Sequence, residues 1–457
     1  MKIRYGICKA SALLLFCFYA VSFGASESSQ DDAMSVVLDI LRSGDQEMQA
    51  VAIGMAKDMA GKDVTEALAK ELPNLSPASQ VMLLSALSDR GDAAALPAVN
   101  NAVKSKDLSV RVAALRAVGQ LGGASSVELL AQTATSTKGQ EQKAARDSLY
   151  RLRGPDIDKV ILATIPKAEP KMKVELIDAV GERNIKTGVS TLLETSKDSD
   201  RKVRIQSLRV LKVVAGPADM PALVDLLINA PSSSDRNEGQ KTVAAVAHKI
   251  EAKDHQAQAL LAALPSVESI PSRCALLSVL GKIGDNTALP VLTNALKDDN
   301  TEVQTAAIRA LAEWPTPEPL NELLKVAESS ENKVHRILAL RGFVRLLGLE
   351  SKRSAEETLG MYKKAMSLAP DVGEKRRVLS GLGGVKSLAA LQMAADYFDD
   401  ESLSREAGSA VVKIASSICD EFPKEANEVL KKVIARTSQT DPLRAQAQEV
   451  IDKIQQP

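Results

Sequence analysis

The chain predicts an all-α fold, an α-solenoid of about twelve stacked helix pairs, and three observations carry that expectation. A pattern of about 31 to 35 residues recurs along it. Within each copy the apolar residues fall at three-and-four spacing, the period of a helix face. No stretch shows the sustained apolar alternation, rich in Val, Ile and aromatics, that marks a β-strand.

The repeat is plainest where Val-Arg-Val-Ala-Ala-Leu-Arg-Ala-Val-Gly-Gln-Leu-Gly at 110–122 returns as Ser-Arg-Cys-Ala-Leu-Leu-Ser-Val-Leu-Gly-Lys-Ile-Gly at 272–284. It returns again as Val-Gln-Thr-Ala-Ala-Ile-Arg-Ala-Leu-Ala-Glu-Trp at 303–314. Aligned on Arg111, the positions Lys173, Arg204, Arg273, Gln304, Arg336 and Lys375 are equivalent, in steps of 62, 31, 69, 31, 32 and 39. Two steps are near double a single period, and periodicity on this scale marks an elongated array whose units hide their apolar sides only against neighbours.

Each unit reads as two helices. In the unit near Asp107, residues Val110, Ala113, Ala114, Ala117, Val118 and Leu121 share one face. Gly122 and Gly123 follow, where left-handed backbone ends a helix readily, and a second helix is expected from about Ser126 through Thr135. Elsewhere the second helix starts with a proline in its first turn, at Pro97, Pro221 and Pro290, where the missing amide costs nothing. Asp and Asn gather between units, as at 297–301, placed to cap the next helix. The copies at 138–168 and 235–269 are weak. The serine cluster over 230–235 predicts a loop excursion.

Four segments result: a signal peptide at 1–25, N-terminal helices or a cap at 26–75, regular repeats at 76–330, and longer, less regular repeats at 331–457 that end in a polar capping helix. The leader rests on the basic Lys2, Arg4 and Lys9, an apolar run from Ala12 to Phe23, and small residues after it. It implies a secreted or periplasmic protein without stable membrane insertion after cleavage. The 25% charged residues, with no long apolar run after the leader, exclude a multi-span membrane protein.

The recurring Val-Arg-x-x-Ala-Leu-x-x-Leu-Gly-x-Ile-Gly-Asp, followed by Ala-Leu-Pro-x-Leu, resembles HEAT-type repeats, specifically the short subclass named for phycobilisome lyases. The best copies are at 107–135, 200–229, 270–299 and 300–328. The resemblance implies an armadillo-type α-solenoid and covers most of the chain after the leader. Tetratricopeptide repeats have a similar period, but their Trp, Leu-Gly and Tyr pattern is missing.

The whole chain has 58 Lys and Arg against 58 Asp and Glu. Losing the three basic residues of the leader leaves 55 against 58, a balance without the basic stripe of a nucleic-acid binder. Two cysteines lie beyond the leader, Cys274 and Cys419, and their 145-residue separation predicts free, buried thiols, because intervening repeats hold them beyond disulfide reach.

No catalytic, cofactor-binding or metal residue is assigned. His248, His255 and His335 stand outside any metal-ligand spacing. The HEAT-like deoxyhypusine hydroxylases hold iron with His-Glu dipeptides, and here the neighbours are His248-Lys249, His255-Gln256 and His335-Arg336. There is no Gly-x-Ser-x-Gly elbow and no phosphate-binding glycine loop; glycines 381, 383 and 384 read as a helix end. The column from Arg111 to Lys375 reads as structural, each member pairing with an Asp of an inter-repeat turn, in preference to a ladder for an acidic partner. Trp314 and Phe343 align with Leu121 and Val118 and read as core. The other late aromatics make the last third the better place for recognition.

The function expected is a non-catalytic scaffold with no cofactor, binding a protein partner and no nucleic acid through an extended helical surface. A lyase related to phycobilin-handling proteins and a structural component of an envelope complex are the alternatives.

Overall fold

The structure, a computed structural model, describes residues 27–455, so the leader expected at 1–25 lies outside the described residues. These hold 26 α-helices, short 3-10 turns and no strand. They form thirteen pairs, close to the expected twelve, in two compact units that divide between Ala215 and Gly216.

In the first unit the pairs are α1 (Glu27–Arg42) with α2 (Gln46–Asp58), α3 (Lys62–Glu71) with α4 (Pro77–Arg90), and α5 (Leu96–Ala102) with α6 (Leu108–Leu121). Then come α7 (Val127–Ser136) with α8 (Gly139–Arg151), α9 (Ile157–Thr164) with α10 (Pro170–Glu182), and α11 (Val189–Thr195) with α12 (Arg201–Val214). The second unit begins with α13 (Met220–Ile228) and α14 (Ser233–Ala247), α15 (Gln258–Ala263) and α16 (Ile270–Ile283), and α17 (Leu289–Ala295) and α18 (Thr301–Ala312). It continues with α19 (Leu320–Ser329) and α20 (Lys333–Leu347), α21 (Ala355–Leu368) and α22 (Val372–Leu382), α23 (Leu388–Asp396) and α24 (Ser404–Ile418), and α25 (Pro423–Arg436) and α26 (Pro442–Gln455).

Each even-numbered helix packs on the next even one within its unit, making one close-packed layer. The odd helices form the second layer and touch one another less. Several are short, with 7 residues in α5 and α17 and 6 in α15, against 14 in α6 and α16. Leu83, Leu115, Leu149, Leu176, Leu280 and Leu311 are all fully buried in the even layer. Each such side chain removed from water stabilises its unit by about 1.5–3 kcal/mol before entropy is counted.

The start of the even helices follows from the sequence. Their N-caps Asp45, Ser76, Asp107, Lys138, Glu169 and Asp200 fall 31 residues apart. The side chains of Asp45, Asp107 and Asp200 each accept two first-turn amides, satisfying donors that a helix leaves open. In the second unit Asn300 and Asn332 cap in the same way, and Asp371 accepts one amide, that of Glu374.

Four readings of the sequence change. The repeat phase differs: most even helices lie more closely against the odd helix before them than against the one after, though α10 lies as closely against α7 and α16 lies chiefly against α13. Gly122 is not left-handed, with φ −75°; its smallness matters because a Cβ there would lie 2.4 Å from the Val118 carbonyl oxygen. Left-handed residues end helices at Gly91 (φ 70°), Asn184 (φ 53°) and Gly284 (φ 72°). The serine cluster is no excursion, since Ser232 caps α14 by accepting from the Asp235 amide at 3.3 Å, and Ser233 to Asp235 form its first turn. Finally, both cysteines are free, but only Cys419 is buried; Cys274 is half-exposed, because it sits where the α16 stripe meets the surface.

Candidate interaction surface

Apart from Lys375, the column ties repeats to turns. In α6 the Arg111 Nη1 donates to the carbonyls of Ser105 and Lys106 at 2.9 and 3.1 Å, while Nε and Nη2 donate to Glu141 at 2.8 and 3.0 Å. Arg204 Nη1 reaches Asp198 and Ser199 carbonyls at 3.0 and 2.9 Å, and Arg336 Nη1 reaches Ser330 and Glu331 at 2.7 and 3.2 Å. Gln304 donates to the Asp298 carbonyl at 2.7 Å. Lys173 pairs with Asp198 at 2.7 Å and Arg273 with Asp298 at 2.5 Å, the Asp pairing that the spacing predicts.

Sequence alignment on basic residues missed other members. Gln49, Gln80 and Gln142 occupy the same place four residues after the cap and donate to carbonyls in or just past the preceding odd helix, Leu41, Leu72 and Ala134, at 2.7, 3.0 and 2.7 Å. Arg236 does the same to Ala230 at 2.9 Å. The shared distance from the N-cap was the available signal, because a neutral amide performs the donor role as well as a guanidinium. Replacement of Arg204 by alanine is expected to lower stability by about 1–2 kcal/mol, the worth of charge-assisted bonds partly open to water. Urea denaturation checks this, and an unchanged midpoint would return the column to a recognition role.

A second set joins the ends of successive even helices. Arg90 Nη1 donates to the carbonyls of Ala56 and Met59 at 2.7 and 2.5 Å, and Arg183 Nη1 to those of Tyr150 and Leu152 at 3.0 and 2.9 Å. Arg345 donates to the carbonyls of Ala312, at 2.6 Å, and Trp314. Across the same layer Arg146 Nε holds Glu175 at 2.6 Å and Arg341 Nε holds Glu374 at 3.0 Å. Both glutamates are buried, so their charge is tolerable only with these partners.

Beside Glu175, the Asp178 carboxyl is pushed up to about 6, first by burial and then by the Glu175 charge, although Gln206 donates to it. The Tyr150 phenol is raised chiefly by burial. The folded value of Asp178 exceeds the ordinary value near 3.9, so the native state holds a proton that the unfolded chain releases. Stability from this group is complete below about pH 4 and is lost as pH rises through about 6. Asp178→Asn, which keeps the acceptor for Gln206, is expected to stabilise by about 1–2 kcal/mol at pH 8, and by little at pH 3.5. Equal effects at both pH values in urea denaturation would contradict this.

The histidines do not converge. His248 ends α14 and His255 lies in the separate 3-10 turn Lys253–His255. His335 is buried, its Nε2 2.9 Å from Thr305 Oγ1, and burial lowers its pKa. Among the described residues no group of three His, Cys, Asp or Glu is placed to hold a metal ion, and no helix is long and apolar enough to cross a membrane. Trp314 and Phe343 are fully buried, as their alignment predicts. Gly381 ends no phosphate loop; it lies in α22, where a Cβ would come within 2.9 Å of the Tyr362 hydroxyl.

The odd layer opens into grooves where its helices are short or far apart. One of about 520 Å3 lies between α3 and α5, walled by Ala69, Pro73, Pro97 and Ala98 with Lys70 and Lys104 on the rim. Another, of about 490 Å3, lies between α21 and α23 and is lined by Lys363, Met366, Lys375, Met393 and Tyr397. Nothing in the spacing of the sequence marks these grooves, because they depend on how far neighbouring odd helices stand apart.

Stacked helix pairs, tied turn by turn, define the class: an α-solenoid whose sequence carries HEAT repeats at residues 65–149 and 257–343, one stretch in each unit. No curated protein sequence matches the chain significantly. Solved structures of similar fold include the karyopherin Kap121p bound to Pho4p (TM-score 0.55, 11% identity, covering 96% of this chain and 56% of that one). Kap121p bound to Ste12p is comparable (TM-score 0.56, 12% identity, 96% and 56% coverage), as is Kap121p described alone (TM-score 0.51, 12% identity, 97% and 56%). The chain thus spans little more than half the length of these structures, and the likeness is one of fold.

Proposed function

We propose that the protein is a non-catalytic scaffold that binds protein partners on the outward faces of its helix layers, outside the cytoplasm and after loss of an N-terminal leader of about 25 residues. The observation that carries this reading is the engagement of its cations. Arg90, Arg111, Arg146, Arg183, Arg204, Arg336, Arg341 and Arg345 tie one helix to another or to a turn, which leaves broad helical surface and grooves as the available functional feature. Support comes also from the solved proteins of like fold, which are seen bound to the protein ligands Pho4p and Ste12p.

The test places a photo-crosslinking residue at exposed odd-layer positions, one per variant, and identifies adducts by mass spectrometry in the exported fraction. A partner whose adducts gather on adjacent repeats is expected. Absence of any adduct across the series would remove the scaffold reading. N-terminal sequencing of the exported chain tests the compartment, with a start at Ala25 or Glu27 expected, and an intact Met1 counting against it.

A further inference from the structure

The groove between α21 and α23 differs from its surroundings in one respect, which is the state of Lys375. This residue stands four after the N-cap Asp371, the place where other repeats set a tying side chain. Arg111, Arg204, Arg236, Gln304 and Arg336 bond turn carbonyls there, and Lys173 and Arg273 bond an Asp 25 residues ahead. Lys375 has the corresponding acid, Asp400, but Asp400 Oδ1 is held by the Ser402 amide and hydroxyl at 2.8 and 2.6 Å. The exposed Asp400 carboxylate acts on Lys375 through space, but among the described residues no hydrogen bond or ion pair holds the Lys375 ammonium. It is half-buried and faces the groove.

We propose that this groove docks an acidic, aliphatic segment of a partner protein, with a carboxylate on Lys375 and Lys363 and an apolar side chain on Met366 and Met393. Both methionines are buried at the groove floor, and their unbranched thioethers adapt to aliphatic groups of different shape. Two lysines face one acid of the lining, Asp396, while Asp400, which also acts on Lys375, lies exposed outside it, so the lining itself keeps a positive excess that favours an anion. A half-buried ammonium that no protein group hydrogen-bonds can take a partner's carboxylate in a charge-assisted bond. Tyr397 and Gln392 on the wall supply further polar contacts for a peptide backbone. The volume of about 490 Å3 is that of a few side chains, so a short segment suffices.

This inference rests on the scaffold reading and names its partner chemistry. The test uses the full chain and a fluorescein-labelled peptide of alternating leucine and glutamate, read by fluorescence anisotropy, beside its leucine and glutamine counterpart. The acidic peptide is expected to bind, to weaken as salt rises, and to lose about tenfold or more in affinity with the glutamine peptide or with the Lys363→Glu, Lys375→Glu double variant. Lys70→Glu in the other groove is expected to change little. Circular dichroism melting of each variant separates lost binding from lost fold, and Lys375→Gln, which removes charge without reversing it, gives a second reading. Equal binding of the two peptides, equal binding by wild type and Lys375→Gln, or no binding at millimolar peptide overturns the proposal. If crosslinked partners persist while the peptide fails, the groove is wrong and the scaffold stands; if both fail, both are wrong.

Discussion

Replacement of Trp314 by alanine is expected to destabilise the second unit by about 3–5 kcal/mol, the range for emptying a large aromatic site in a packed core. The indole is fully buried at the end of α18, and its own carbonyl accepts from Arg345 of α20. Collapse around the cavity is opposed by that tie, because the backbone of residues 312–314 is held to the next even helix. Trp314→Phe is expected to cost far less, within about 1 kcal/mol. It leaves a smaller void, and it removes a buried indole N–H that has no acceptor among the described residues. Denaturation followed by far-ultraviolet circular dichroism suits both variants, since each removes the only tryptophan. A loss below 1 kcal/mol for the alanine variant would mean the side chain is not in the core.

Gly281→Val is expected to cost about 3 kcal/mol or more, at the upper end for overpacking. A Cβ at Gly281 would lie 2.5 Å from Ala310 Cα and 2.6 Å from its carbonyl oxygen. Those are backbone atoms of α18, so the helices must separate to admit even one carbon. Gly119 and Gly181 stand at the same distance from their N-caps and face the next even helix at Ser148 and Val210, respectively. Gly360 is the control: it is exposed in α21, nothing lies within 4 Å of its Cβ position, and Gly360→Ala is expected to stabilise by up to about 1 kcal/mol through helix propensity and unfolded-chain entropy. Thermal melts that rank the two variants the other way would refute the close-approach explanation.

Much of the tying network was legible because it follows the period. Lys173 and Arg273 share a register and an Asp 25 residues ahead, and both pair as that register predicts. The part that escaped notice has two causes. Gln49, Gln80 and Gln142 do the work of arginine without its charge, so a search for basic residues passes over them. Arg90, Arg183 and Arg345 reach carbonyls 29 to 34 residues back, a relation that exists only once successive even helices lie side by side.

Residues near in the chain therefore settled the all-helical class, the 31-residue rhythm, the Asp and Asn caps and the apolar stripe that places Trp314 and Phe343 inside. Those features depend on backbone dihedrals and helix periodicity, which act over a few residues. Stacking alone decided which odd helix each even helix embraces, why Gly281 has no room for a side chain, and where α21 and α23 part to leave Lys375 facing a groove. The reason is geometric: separations between neighbouring helices are set by all the side chains that interdigitate between them, and no short stretch of chain contains that sum.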